Sequence, residues 1–166
     1  MAHTEFTDAI AMLKADHRLV EDLFAQFDKT RDQDRQHKLA TKICNELKVH
    51  TMLEEEIFYP ALKGKIEDDI LNEAYVEHDG AKILINDILA GSPDEFYEAK
   101  VKVLSEEIEH HVKEEEERVE GMFAQARGTD VDLVALRDAM LARKAELMPL
   151  AEANKLPEAE TRAIHS

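Results

Sequence analysis

VKVLSEEIEHHVKEEEERVEGM, residues 101 to 122, is the stretch that decides how this chain is read. Its apolar positions Val101, Leu104 and Ile108 recur at steps of three and four, and the same series runs on through His111, Glu115, Val119 and Met122. Such spacing turns one face of an α-helix toward a core. That face therefore carries an imidazole and a carboxylate one turn apart. His110, Glu114, Glu116 and Glu117 fall off it and are expected mostly to meet water.

Three other segments show the same stepping. Ile10, Leu13, His17, Val20, Phe24 and Phe27 form one stripe. Ala40, Ile43, Leu47, His50, Glu54, Ile57 and Ala61 form a second, and Leu71, Ala74, His78, Ala81, Ile85 and Ile88 a third. Breaks at 30–35, 59–65, 91–95 and 126–130 separate these segments, and Gly or Pro marks three of the four. Ser92-Pro93-Asp94-Glu95 predicts a helix start: Ser can cap, Pro suits the first helical position, and Glu closes a capping box.

Short links between long helices imply antiparallel neighbours. The expected fold is therefore all-α, an up-down-up-down antiparallel four-helix bundle with an additional C-terminal helix, about Val131 to Met148, packed outside it. One domain spans 1–148, with its bundle core at about 6–127, and 149–166 reads as a loose polar tail.

Composition agrees. A length of 166 residues suits one domain, and five Gly, four Pro and no Trp favour helices over a sheet. A net charge of -16 repels nucleic-acid phosphates and anionic lipid, so neither is expected as a partner. No stretch approaches the roughly 20 apolar residues of a membrane span, and MAHTEFTDAI does not read as a signal peptide, so the expected location is cytoplasmic. The single cysteine, Cys44, reads as a small buried apolar residue rather than a reactive thiol. His3, His37 and His165, which sit near a terminus, a loop and the tail, are given no role.

All four inward stripes are interrupted by His and two also by Glu. A buried imidazole or carboxylate is costly unless it is hydrogen-bonded, paired or bound to a metal. Counting helical rise from the loops places the four histidines within a turn or two of one level. Glu54 and Glu115 lie one turn further along the faces of His50 and His111. Four imidazoles and two carboxylates exceed a closed tetrahedral zinc site and suit two six-coordinate ions. Of roughly twelve positions they fill about ten, counting two bridging carboxylates and a solvent-derived bridging oxygen, which leaves about two for an outside ligand. Glu21, one turn after His17, is read as a surface residue. A ferritin-like site needs two Glu-x-x-His units, and the chain offers one, Glu107 to His110, off the inner stripe.

The order His, HxxxE, His, HxxxE resembles the hemerythrin-like (HHE, cation-binding) family, bacterial type. The matching stretches are ADHRLVEDLF around His17, VHTMLEEEIFYP around His50 and Glu54, VEHDGAKILI around His78 and IEHHVKEEEE around His111 and Glu115. The resemblance implies metal ligands His17, His50, Glu54, His78, His111 and Glu115. It also implies two non-haem iron ions with a bridging oxo or hydroxo group, manganese or zinc being substitutes. Respiratory members use a fifth histidine where this chain has Ala74, and an Asp five residues after the last His, where this chain has Glu116. The stripe favours Glu115, and the relatives leave Glu116 open.

The function implied is binding or sensing of oxygen, peroxide, nitric oxide or iron at a carboxylate-bridged centre. A di-iron enzyme that breaks down peroxide, oxidises ferrous iron or repairs nitrosatively damaged iron centres is the alternative. The implied partner is a small diatomic ligand or peroxide.

Overall fold

The computed structural model describes residues 6–165; His3 lies outside them. The Asp8 carboxylate accepts from the Ala11 N–H at 2.9 Å and opens α1 (Ala9–Lys29). Asp32 does the same for α2 (Gln33–Leu53), accepting from Asp34 at 3.2 Å. These caps satisfy donors that a helix start leaves free. The run of α2 continues through a π-helical turn, Glu54–Phe58, into the single turn α3 (Tyr59–Leu62). Then come α4 (Asp68–Ala90), α5 (Tyr97–Glu116), the short α6 (Met122–Arg127) and α7 (Leu133–Glu152).

The described residues hold helices and no strand. α1 packs on α2, α2 on α4 and α4 on α5, and α7 lies outside against α1 and α2, as expected of the fifth helix. No helix among the described residues is long and apolar enough to cross a membrane. Two apolar cores result. One gathers Ile10, Leu13, Phe58, Leu62, Met122 and Phe123 with the inner face of α7, and the other gathers Val20, Phe27, Ile43, Leu47, Ile85 and Leu104. Between them lies a buried polar layer holding His17, His50, Glu54, His78, His111 and Glu115.

The structure departs from the sequence reading in four places. The π turn adds one residue to a helical turn, so the stripe slips from Ile57 and Ala61, both half-buried, to Phe58 and Leu62, both fully buried. The capping box at Ser92 is not used. Instead the Asp94 carboxylate accepts from Phe96 N–H at 2.9 Å in the turn ahead of the helix, and α5 starts at Tyr97 without a side-chain cap.

α5 also ends earlier than its stripe implies. Glu117 takes an extended conformation (φ -55°, ψ 133°), and its carboxylate accepts from the Val119 and Glu120 N–H groups at 3.1 and 2.5 Å. Val119 is consequently 78% exposed, and Met122 is buried from α6 rather than α5. Gly121 permits this turn, since a Cβ there would lie 2.4 Å from the Glu117 carbonyl oxygen. Lastly, the tail expected to be loose from 149 onward is not loose. Burial of Leu147 and Ala151 carries α7 past Pro149 to Glu152, and the residues beyond dock on the bundle.

Candidate metal centre

Each long helix of the bundle delivers one histidine to the polar layer: His17 from α1, His50 from α2, His78 from α4 and His111 from α5. Glu54 enters from the π turn and Glu115 from α5. The ligating atoms fall into two buried groups, His17, His50, Glu54 and Glu115 in one and Glu54, His78 and His111 in the other, each gathered within 4.8 Å. Glu54 belongs to both: its Oε1 stands 3.2 Å from His50 Nε2 and 3.1 Å from His78 Nε2. Glu115 spans the pairs with its two oxygens, Oε1 at 3.2 Å from His17 Nε2 and Oε2 at 3.2 Å from His111 Nε2. Both carboxylates thus lie between the histidine pairs, where a bridging ligand would sit.

The other ring nitrogens all meet carboxylates. His17 Nδ1 lies 2.5 Å from Glu116, His50 Nδ1 3.0 Å from Asp16, His78 Nδ1 2.7 Å from Glu55 and His111 Nδ1 2.6 Å from Glu77. An ionised carboxylate only accepts, so each Nδ1 carries a proton, and a ring that gives up its other proton to a metal would turn an Nε2 lone pair inward. This is the orientation a metal-binding imidazole needs.

The donors fit a metal by a second criterion. His17 Nε2, His50 Nε2, both Glu54 oxygens and Glu115 Oε1 are buried without a hydrogen-bond partner. Orphaned buried polar atoms are rare because each forfeits its hydration. A cation in each group would satisfy them, and imidazole with carboxylate is a donor set that first-row divalent metals accept.

Charge tells the same story. Burial pulls the His50 imidazole down, but Glu54 and Asp16 outweigh it and hold the group at about 10. His111 is likewise held well above its ordinary value against burial, by Glu115 and Glu77. Burial pushes Glu115 up, and His111 with His17 more than reverses this, leaving its carboxyl well below the usual range. In the metal-free chain, protons on imidazoles balance the carboxylates, and a bound cation would take their place.

All six residues expected from sequence are therefore brought together. Glu115 faces the Nε2 atoms, whereas Glu116 reaches the far side of His17. The expectation that Glu116 mostly meets water is corrected, and Glu55, the chain neighbour of Glu54, is turned inward as well, 3% exposed. His110 is exposed, 3.3 Å from Glu77 and 3.0 Å from Glu114, and Glu21 pairs with Arg18 at the surface. Cys44 is buried, and burial pushes its thiol up to about 12, the unreactive state expected.

Sequence reasoning missed Asp16, Glu77 and Tyr59. A signal for the first two existed. Each outer carboxylate is the chain neighbour of a candidate ligand and serves the next helix: Asp16 beside His17 reaches His50, Glu55 beside Glu54 reaches His78, Glu77 beside His78 reaches His111, and Glu116 beside Glu115 reaches His17. One residue along a helix is about 100° around it, so a neighbour of an inward residue faces the adjacent helix. The result is a closed ring of braces around the bundle. Tyr59 had no such signal, because it reaches the site only through the π turn. Its hydroxyl donates to Glu115 at 2.7 Å and lies 3.2 Å from both His78 Nε2 and His111 Nε2.

Two concavities adjoin the layer. A cavity of about 20 Å³ is walled by Val20, Leu47, Ile108 and Val112 and by the four histidines. A surface pocket of about 420 Å³ reaches His111 and Glu115 between Glu73, Glu77, Glu114, Glu117 and Glu120.

A protein described as a DNA nickase, from Nostoc sp. (strain PCC 7120 / SAG 25.82 / UTEX 2576), is 29% identical over 107 residues, which cover 63% of this chain and 30% of that relative's length. The crystal structure of a hemerythrin HHE cation binding domain-containing protein from Mycobacterium kansasii superposes with a TM-score of 0.69 at 23% identity, covering 91% of this chain and all of that one, and so shares its fold. The family model for the hemerythrin HHE cation binding domain matches residues 8–123, a span that holds all six inward residues, and the chain belongs to that family.

Proposed function

We propose that the chain is a non-haem di-iron protein that binds or senses a small ligand, oxygen, peroxide or nitric oxide, at a carboxylate-bridged centre. The observation that carries this reading is the sharing of Glu54 and Glu115 between two histidine pairs. A single ion would need one group of donors, and the chain builds two that meet at the same carboxylates. His17 with His50 would hold one iron and His78 with His111 the other, with manganese or zinc as substitutes. The bound iron supplies redox change and open positions for a ligand.

The protein's own residues set what reaches that centre. The cavity of about 20 Å³ has room for about one small molecule, since a water needs roughly 10–15 Å³. Its apolar walls favour a diatomic molecule over a hydrated ion or an organic substrate. Phe123, stacked on the His17 ring at 5.9 Å between centroids, and Phe58 close the opposite side against water. The acidic rim of the larger pocket suits the approach of cations during loading.

A second reading, a peroxide-consuming enzyme, rests on Tyr59. A phenol hydroxyl held by Glu115 beside two Nε2 atoms can donate a hydrogen bond or a proton to a reacting oxygen species. The nickase activity belongs to the longer Nostoc protein. The charge of -16 supports a reading without a nucleic-acid partner, and buried Cys44 agrees with a cytoplasmic setting.

Metal analysis followed by anaerobic titration of the di-ferrous protein tests the proposal. It predicts two irons per chain and a stoichiometric, reversible optical change on adding oxygen or nitric oxide. Repeated consumption of peroxide moves the assignment to the enzyme. One zinc and no iron after iron-replete expression would sink the di-iron reading.

A further inference from the structure

α4 carries a second stripe beside its ligand face. Asp79, Lys82 and Asn86 succeed one another at steps of three and four, and Asp79 and Lys82 are 0% and 4% exposed. Buried charged groups need partners. Here most of the partners are main-chain groups of residues 159–164. Asp79 accepts from the N–H groups of Arg162, Ala163 and Ile164 at 3.0, 2.5 and 2.7 Å. Lys82 donates to the Glu160 carbonyl at 2.8 Å. Asn86 grips Ala159 from both sides, accepting from its N–H and donating to its C=O at 2.9 Å each. Leu156, 9% exposed, anchors the near end of the segment in the apolar core.

This docked segment touches the candidate centre at one point. Arg162 Nε lies 2.9 Å from Glu55 Oε1, and Lys82 Nζ donates to the same oxygen at 2.8 Å. Glu55 Oε2 accepts from His78 Nδ1 at 2.7 Å. The braces of the α1–α5 side are held differently, since Glu116 pairs with Arg18 of α1. The segment also lies beyond residues 8–123, the part of the chain that the family model matches.

We propose that residues 156–164 are a strap whose docking on α4 positions His78 through Glu55, which makes Arg162 a positioning residue for one of the two metal positions. The proposal rests on reading His78 as a ligand. Carboxylates that orient metal-bound histidines change metal affinity by roughly 10- to 100-fold when lost. The strap's outward side is exposed, and a pocket of about 250 Å³ separates it from α2, so it can lift without opening the bundle. Glu55 would then lose Arg162 and answer to Lys82 alone, leaving the His78 ring less firmly set.

The test uses the full chain with Arg162→Gln, Arg162→Lys and Asn86→Ala, the last loosening the strap without touching Glu55. In metal-free protein, the imidazole ¹⁵N and ring N–H resonances of the four histidines are compared. Arg162→Gln and Asn86→Ala are expected to shift or broaden His78 alone, and Arg162→Lys to restore it. In iron-loaded protein the same two variants are expected to release one of two ions to a chelator roughly 10-fold faster, leaving the other unchanged. Unaltered resonances, or equal changes at all four histidines, would overturn the strap. So would unaltered or equally accelerated release of both ions. If the parent protein does not hold two ions, the di-iron reading fails by itself, and the metal-free measurement alone decides whether the strap positions His78.

Discussion

The two halves of the centre come from one sequence layout, a lone His and then HxxxE, yet they meet different surroundings. In the half built by α1 and α2, the Nε2 atoms of His17 and His50 have no hydrogen-bond partner. In the half built by α4 and α5, the Nε2 atoms of His78 and His111 both adjoin the Tyr59 hydroxyl and lie 3.2 Å from each other. The cause is the course of the chain after each HxxxE. Past Glu54 it widens into a π turn and brings Tyr59, five residues on, under the opposite pair. Past Glu115 the helix stops within one residue, and Glu120, in the equivalent place, is exposed. Equal ligand motifs therefore make unequal metal positions, and the difference resides in the backbone just beyond them.

The bridging residues are where both halves can be broken at once. Glu54→Ala removes the carboxylate oxygen that, among the described residues, lies close to His50 and His78 together, so both ions should be lost, with apparent affinity down by more than roughly 100-fold at each. Equilibrium dialysis with metal analysis reads this directly, and retention of one tight ion would mean that Glu54 serves a single half. Cutting a half separately is the smaller effect. His50→Ala and His111→Ala should each leave one ion, and the ions left behind should give different Mössbauer doublets. Identical remaining doublets would show that the two positions are equivalent despite their surroundings.

Periodicity set how much of this was legible in advance. The stripes through His17, His50, His78 and His111 were readable because straight α-helices keep phase, and the six inward residues fall where that phase puts them. Wherever the phase breaks, reading failed. The π turn moved burial from Ile57 to Phe58 and brought in Tyr59, and the stop at Glu117 left Val119 in water. The docked segment beyond Glu152 was illegible for another reason. It is held through its main chain by Asp79, Lys82 and Asn86, and main-chain partners leave no pattern in side-chain polarity.

Acidity offers a gentler probe of the halves in the metal-free chain. His50 is held at about 10 against an ordinary 6.5, so its pairing with Glu54 and Asp16 stabilises the fold fully below pH 6.5 and is lost as pH climbs through about 10. Glu115 is held below its ordinary 4.5, so its contribution is present above that pH and disappears on acidification. Metal-free stability should therefore peak between about pH 4.5 and 6.5 and fall on the alkaline side by a few kcal/mol. Iron affinity should move the opposite way across the same range, because the metal displaces those protons. Thermal melts of metal-free protein across pH, repeated with His50→Gln, check the sign: the alkaline slope should flatten in the variant. A slope that persists unchanged would remove His50 as its source.

The finest test of the comparison removes its cause. Tyr59 is fully buried, and its hydroxyl donates to Glu115, so its oxygen lone pairs are free to face His78 and His111. Burial, with Glu115 and Glu54 close by, pushes the phenol well above its ordinary value, so it stays protonated and keeps donating. Tyr59→Phe keeps the ring that packs on Phe58 and Tyr75 and deletes only that oxygen. In metal-free protein it should cost about 1–3 kcal/mol, the penalty for leaving a buried carboxylate oxygen unpaired. In the loaded protein two irons should still bind, since neither histidine pair is touched, but their Mössbauer doublets should converge as the second half comes to resemble the first. If the doublets stay as far apart as in the parent, the inequality comes from the outer carboxylates, and the contrast to pursue is Asp16 with Lys144 against Glu55 with Arg162.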